Sequence, residues 1–244
     1  SFLTGVKEAK GLTLRIVKSP VKDKLETLYK LLGELKGESA LVFCNQRESV
    51  ERVSNYLTEM GVDNEYFHGG MEQPERERAL SLFRNGSASV FISTDLASRG
   101  LDIPEVKNVI HYHLPINEEA FIHRNGRTAR MNAEGNAFMI LNEIETVPEY
   151  ITREPDEFFL PEKAKKPLRS EWVTLTINRG KRDKLSKKDV VGFLFQKGGL
   201  DKDDLGVVEI KESCAYAAVK RDKKEGLLAR IRDEKIKNMK AKFI

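Results

Sequence analysis

Cysteine is scarce in this chain: Cys44 and Cys214 are the only two in 244 residues. They stand far apart and near no metal-ligand spacing. They read as buried thiols of a reducing compartment, not as a disulfide framework or a metal site. Long hydrophobic runs are missing as well. No stretch approaches the roughly 20 apolar residues that a membrane span needs. The first residues, from Ser1, show no charged-then-apolar leader, and a cytoplasmic protein is the expectation. A third absence is chemical. No Gly-x-x-x-x-Gly-Lys-[Ser/Thr] loop occurs, so any nucleotide this chain touches is held by something else. What remains is 40% hydrophobic and 33% charged. That composition suits a highly charged globular protein long enough for one large domain or two ordinary ones.

The net charge of +4 is unevenly spread. Residues 171–244 hold 19 Lys/Arg against 12 Asp/Glu, whereas residues 1–170 hold 23 against 26. The basic C-terminal third is therefore the candidate polyanion binder.

Two periodicities alternate over the first 150 residues. Ala40–Phe43 is wholly apolar, as a strand buried on both faces would be. From Glu48 to Met60, Val50, Val53, Leu57 and Met60 share a helical face that Gly61 ends. Pro74 opens another helix, with Ala79, Leu80, Leu82 and Phe83 inward and Gly86 closing it. Strands are expected at 89–93, 108–112 and 136–141, with a helix near 118–124. Repeated strand–helix units imply a parallel α/β sheet over 1–151. Residues 152–171 are polar and proline-bearing and read as a linker. A second unit, 172–244, follows. Trp172–Ile177 alternates at period two, Ser186 caps a helix carrying Val190, Val191, Phe193 and Leu194, and strands are expected at 206–210 and 214–219. A helix over 225–232 and a final strand to Ile244 complete β-α-β-β-α-β, the ferredoxin-like order shared by the RNA recognition module.

The densest chemistry lies in two strings, Ser93-Thr-Asp-Leu-Ala-Ser-Arg-Gly-Leu-Asp102 and His123-Arg-Asn-Gly-Arg-Thr-Ala-Arg130. Core packing does not call for such strings. Guanidinium forks and backbone N–H groups that grip phosphate do. Asn45, His68-Gly69-Gly70 and Thr94 each follow a strand, and open α/β sheets bind ligands beyond the carboxyl ends of their strands.

In this order and spacing, Leu41-Val-Phe-Cys-Asn45, Phe67-His-Gly69, Gln73-Pro-Glu-Arg76, Ser93-Thr-Asp95 with Arg99-Gly-Leu-Asp102, and the 123–130 string resemble the second RecA-like domain of the DEAD-box RNA helicases. The resemblance covers about residues 10 to 145. It implies that Arg127 and Arg130 are paired arginine fingers meeting the γ-phosphate of ATP, where developing charge is neutralised. It implies nucleotide contact for Asp102, at the ribose, and for Gly100, and for His123 a coupling role toward the partner domain. Asn45, Gln73, Arg76 and Thr94 would hold RNA backbone without reading bases. Asp95 and Arg99 are kept as internal support. The family usually has Ile and Gly where this chain has Asn125 and Ala129, and Asp where it has His113. No function is carried onto His113.

Residues 172–243 resemble the RNA-binding extension of DbpA-type bacterial helicases, a group directed to a hairpin of large-subunit ribosomal RNA. Tyr216 is the one aromatic at a sheet-face stacking place. The loop with Arg179, Lys181, Arg182 and Lys184 is the better contact. The implied whole is an ATP-dependent RNA helicase that unwinds or remodels structured ribosomal RNA in large-subunit assembly. Its N-terminal RecA-like domain would hold most of the ATP and Mg2+, and this chain alone would be inactive. A non-catalytic RNA-binding or annealing module is the competing reading.

Overall fold

Three four-residue runs, Ala40–Phe43, Val90–Ser93 and Asn108–His111, are buried at every position. Only the middle of a sheet covered on both faces buries a strand so fully. The computed structural model describes residues 11–98, 102–128 and 134–244. Packing divides them into two units. One runs to Arg76 and resumes from Ser89 to Arg169, and the other takes Glu77–Ala88 with Ser170–Ile244.

In the first unit the strands are β1 (Leu12–Lys18), β2 (Ala40–Phe43), β3 (Asn64–Phe67), β4 (Val90–Ser93), β5 (Asn108–His111), β6 (Gly135–Leu141) and β7 (Asp156–Glu157). They pair in the order β3-β4-β2-β5-β6-β1-β7, and every pairing is parallel. This is the expected RecA-like sheet. The helices are α1 (Leu25–Glu34), α2 (Arg47–Glu59), α3 (Gln73–Arg84, which crosses the packing division), the single turn α4 (Asp95–Ser98) and α5 (Glu118–Asn125). Val50, Val53 and Leu57 of α2 enter the core as their spacing requires. Met60 does not: it stands just past the helix end and is 37% exposed. Gly61 follows at φ +75°, the left-handed turn that stops the helix.

Of the stretch expected as a linker, 152–171, residues 152–169 run along the first unit as a strap. β7 pairs with β1, and the Phe158 N–H donates to the Ile16 carbonyl at 2.8 Å. Phe158 meets Phe138 edge-on at 5.4 Å, with the Arg15 guanidinium over both rings. Farther along, Lys165 pairs with Glu34 at 2.9 Å and Arg169 with Asp63 at 3.0 Å.

The second unit carries β8 (Trp172–Ile177), α6 (Lys187–Gln196), β9 (Leu205–Ile210), β10 (Ala215–Lys220) and α7 (Lys224–Ile231). The sheet is antiparallel in the order β8-β10-β9. Leu175, Ile177, Val190, Phe193, Leu194, Leu227 and Ile231 fill its core. The Ser186 hydroxyl accepts from the Asp189 N–H at 3.2 Å, and the Asp189 carboxylate accepts from the Ser186 N–H at 2.8 Å, a reciprocal cap. The expected continuous last strand is broken. Lys237 and Asn238, at φ +51° and +63°, turn a two-residue hairpin of β11 (Lys235–Ile236) and β12 (Met239–Lys240). Two successive left-handed residues make the type of turn that reverses a hairpin. Beyond it, Phe243 bridges to Ile177, and Ile244 exchanges two backbone hydrogen bonds with Thr176. The tail thus lies beside β8.

Candidate functional site

The carboxyl ends of β2, β4 and β5 converge on one side chain. Arg124, on α5, is fully buried. The N-terminus of α5 is capped by the Asn117 side chain, which accepts from the Ala120 N–H at 2.9 Å, and Ala120 and Phe121 face the core. This fixes the helix phase and drives Arg124 inward, where every donor must find an acceptor. Nε and Nη2 each donate to the Asp95 carboxylate at 2.6 Å. Nη1 donates to the His113 carbonyl at 2.7 Å, and Nη2 also to Asn45 Oδ1 at 2.9 Å. Nη1 further faces His111 Nδ1 at 3.4 Å, and the guanidinium lies 5.0 Å from the Phe43 ring centre. One cation therefore ties together three strand ends and α5. Asp95 thus has Arg124 for its internal partner, and Arg99 lies outside the described residues.

His111 is fully buried, and burial together with the Arg124 charge pushes its pKa down to about 3. His113 is lowered too, by burial and then by Lys24. Its Nδ1 accepts from the Asn45 N–H at 3.2 Å, a bond that requires an unprotonated Nδ1. Nearby, Lys24 is buried with Glu145 as its ion-pair partner and donates to the carbonyls of Tyr112 and Ile140 at 3.0 and 2.7 Å. Burial lowers Lys24 and raises the Cys44 thiol to about 12. That thiol is inert at neutral pH.

Arg127 follows α5 and is only 9% exposed. Its Nη2 donates to the Ser98 carbonyl at 2.8 Å. Its carbonyl accepts from Val106 N–H at 3.0 Å, which brings the segment after Asp102 against the end of α5. Asp102 itself is exposed, and His123 is half-buried on α5. Arg130, Gly100 and Ala129 lie outside the described residues.

Asn45 and Thr94 border an open cleft of about 670 Å³, with Arg47, Asp95, Ile116 and Asn117. Both ends of the Asn45 amide are already engaged, by Arg124 and by the Leu114 carbonyl at 3.2 Å. The Thr94 hydroxyl accepts from the Ala97 N–H at 3.4 Å and so caps α4. Gln73 is exposed at the start of α3. Arg76 braces the preceding loop, donating to the carbonyls of Met71 and Gly69 at 2.7 and 2.9 Å. Neither Gln73 nor Arg76 lines the cleft. Among the described residues no group of three His, Cys, Asp or Glu is placed to hold a metal ion.

In the second unit Lys181, Arg182 and Lys184 are exposed, and Arg179 lies 3.8 Å from Asp183. Tyr216 is buried, and burial raises its hydroxyl pKa. The C-terminal hairpin adjoins this loop. Lys237 Nζ donates to the Lys184 carbonyl at 2.6 Å, and the Lys242 N–H to Asn178 Oδ1 at 2.6 Å. Sequence reasoning missed Arg124, His111 and the hairpin. The signal for Arg124 was present as a cation three residues after the apolar Phe121, with an Asp in the other polar string.

Comparison with known proteins agrees with this geometry. Residues 23–132 match the helicase conserved C-terminal domain, and residues 174–243 match the DbpA RNA binding domain. The ATP-dependent RNA helicase DbpA of Bacillus subtilis is 28% identical over 96% of this chain and 56% of its own length. The DbpA of Escherichia coli is 34% identical over 82% of this chain and 45% of its own. The chain thus spans about half the length of these relatives. The crystal structure of the E. coli DEAD-box protein SrmB, solved bound to regulator of ribonuclease activity A, aligns with TM-score 0.56 and 30% identity over 66% of this chain and 97% of that one. The chain belongs to the DEAD-box RNA helicases, as a C-terminal RecA-like domain followed by a DbpA-type RNA-binding domain.

Proposed function

We propose that this chain forms the C-terminal part of an ATP-dependent helicase that remodels structured ribosomal RNA during large-subunit assembly in the cytoplasm. It works against a preceding RecA-like domain. ATP with Mg2+, held mainly by that domain, supplies the phosphoryl-transfer chemistry. Arg127 and Arg130 present guanidinium groups to the γ-phosphate, Asp102 and Gly100 meet the nucleoside side, and His123 couples the two domains. The strongest support is the caged Arg124, which anchors the end of α5, and with it Arg127, at the carboxyl edge of the sheet.

RNA backbone is held at that edge by Thr94, Gln73 and Arg76, with Asn45 supporting the site through Arg124. In the second unit the buried Tyr216 leaves the basic edge as the contact: Arg179, Lys181, Arg182 and Lys184, joined by the hairpin through Lys237 and Lys242. Exposed cations on adjoining loops match the phosphates of a folded RNA.

In the complete protein, RNA-stimulated ATP turnover should fall about 10³-fold or more in Arg127→Ala and in Arg130→Ala, the scale of an arginine finger. Turnover by this chain alone, or full turnover in those variants, would sink the reading. Binding of a ribosomal RNA hairpin should weaken in Lys181→Glu and Lys237→Glu, whereas Tyr216→Phe leaves it unchanged.

A further inference from the structure

His111 and Asn125 form a buried neutral pair whose proton can be placed. Nε2 of His111 lies 2.9 Å from Asn125 Oδ1, and Nδ1 lies 3.4 Å from Arg124 Nη1. A guanidinium only donates, so Nδ1 must offer its lone pair. The proton then sits on Nε2 and points at the Asn125 oxygen. This fixes the amide as well: its Nδ2 is turned to a buried place with no acceptor among the described residues. An orientation that leaves a donor unpaired is held only because the histidine bond outweighs the loss. The ring cannot slide out, since Phe121 of α5 stacks on it at 5.5 Å.

The backbone that carries Arg127 hangs directly from this pair. The Asn125 carbonyl accepts from the Thr128 N–H at 3.0 Å, and the Arg124 carbonyl from the Arg127 N–H at 3.2 Å. The Thr128 hydroxyl then donates to the Lys107 carbonyl at 3.2 Å. Any shift of Asn125 along β5 is therefore passed to the finger within two residues.

We propose that His111 and Asn125 are positioning residues for catalysis: a single-tautomer imidazole that sets where the end of α5, and so Arg127, meets the nucleotide. This rests on the finger reading of Arg127. Neither residue touches the reacting atoms. The pair acts by setting distance, and misplacement of about 1 Å costs about a hundredfold in rate.

The test uses the complete protein with Arg127→Ala, His111→Leu and His111→Gln, and 15N imidazole NMR of the unaltered chain. His111→Leu should lower kcat about ten- to a hundredfold with KM for ATP and RNA affinity unchanged. His111→Gln, which keeps one donor and one acceptor, should recover most of the loss. The NMR spectrum should show the Nε2–H tautomer at pH 7. If Arg127→Ala keeps full turnover, the finger reading falls. If Arg127→Ala is dead while His111→Leu matches the unaltered enzyme, the positioning proposal is overturned. An Nδ1–H tautomer overturns it whether or not the variants fold.

Discussion

Arg124 is the residue on which the first unit turns, because its charge has no water to fall back on. A buried cation stripped of its carboxylate is left uncompensated, which typically costs about 3–5 kcal/mol. Asp95→Ala should therefore lower stability by about that much in urea unfolding, although Asp95 itself is 23% exposed. His111 carries a second, pH-dependent contribution. Its folded pKa, about 3, lies below the ordinary 6.5. Between those values the unfolded chain binds a proton that the folded chain refuses. Stability is then complete above pH 6.5 and declines as pH falls toward 3, by up to about 1.4 kcal/mol per pH unit. The urea midpoint of His111→Gln should show a shallower pH slope than that of the unaltered chain, and equal slopes would refute the assignment. Little of this was legible in the sequence. Arg127 and Arg130 stand out by spacing, but nothing in the sequence separates Arg124 from other helix-surface arginines; its burial depends on how Phe121 sets the phase of α5. Asn125 and His113 register only as departures from a pattern. Their roles come from contacts 14 and 68 residues away in the chain.

At the scale of elements, the buried strands are the most legible, because an unbroken apolar run flanked by turn residues is too short for a helix and too greasy for a loop. Ala40–Phe43, such a run, and Trp172–Ile177, legible instead by its period-two alternation, lie where their patterns put them. Helix α6 is capped by Ser186 as expected. β1 and α1 escape the same reading. β1 mixes Arg15 and Thr13 into its run, and α1 starts after Lys24, a charged residue whose burial no hydropathy pattern signals. The strap hides for a related reason: its polar composition masks Phe158 and Leu160, which pack on the core one at a time. It passes close to α1 at Gly33, where a Cβ would stand 2.2 Å from the Lys165 carbonyl oxygen. Gly33→Ala favours the helix by about 1 kcal/mol, but that contact is with backbone and cannot be relieved by a side-chain rotation. The strap should give way. The Phe158 amide should then exchange with solvent faster in Gly33→Ala than in the unaltered chain, while α1 amides are protected as well or better.

For the whole molecule, the uneven charge seen in the sequence has a structural counterpart. The acidic first unit builds a buried ion cage at one sheet edge, and the basic second unit leaves its cations outward on a loop and a hairpin. The last residues do more than extend that basic surface. Without Phe243 and Ile244, β8 would leave the N–H and C=O of Thr176 unpaired at its free edge, the kind of group by which sheets join to copies of themselves. The tail covers that end of β8 with the Ile177 bridge and the two Thr176 bonds. Phe243 also stacks on Phe193 at 5.3 Å, so the closure is held by an aromatic anchor and not by backbone alone. Removing residues 241–244 should leave the core of the second unit folded by circular dichroism yet make the chain self-associate, with light scattering that rises with protein concentration. The end of the chain would then act as a guard against aggregation.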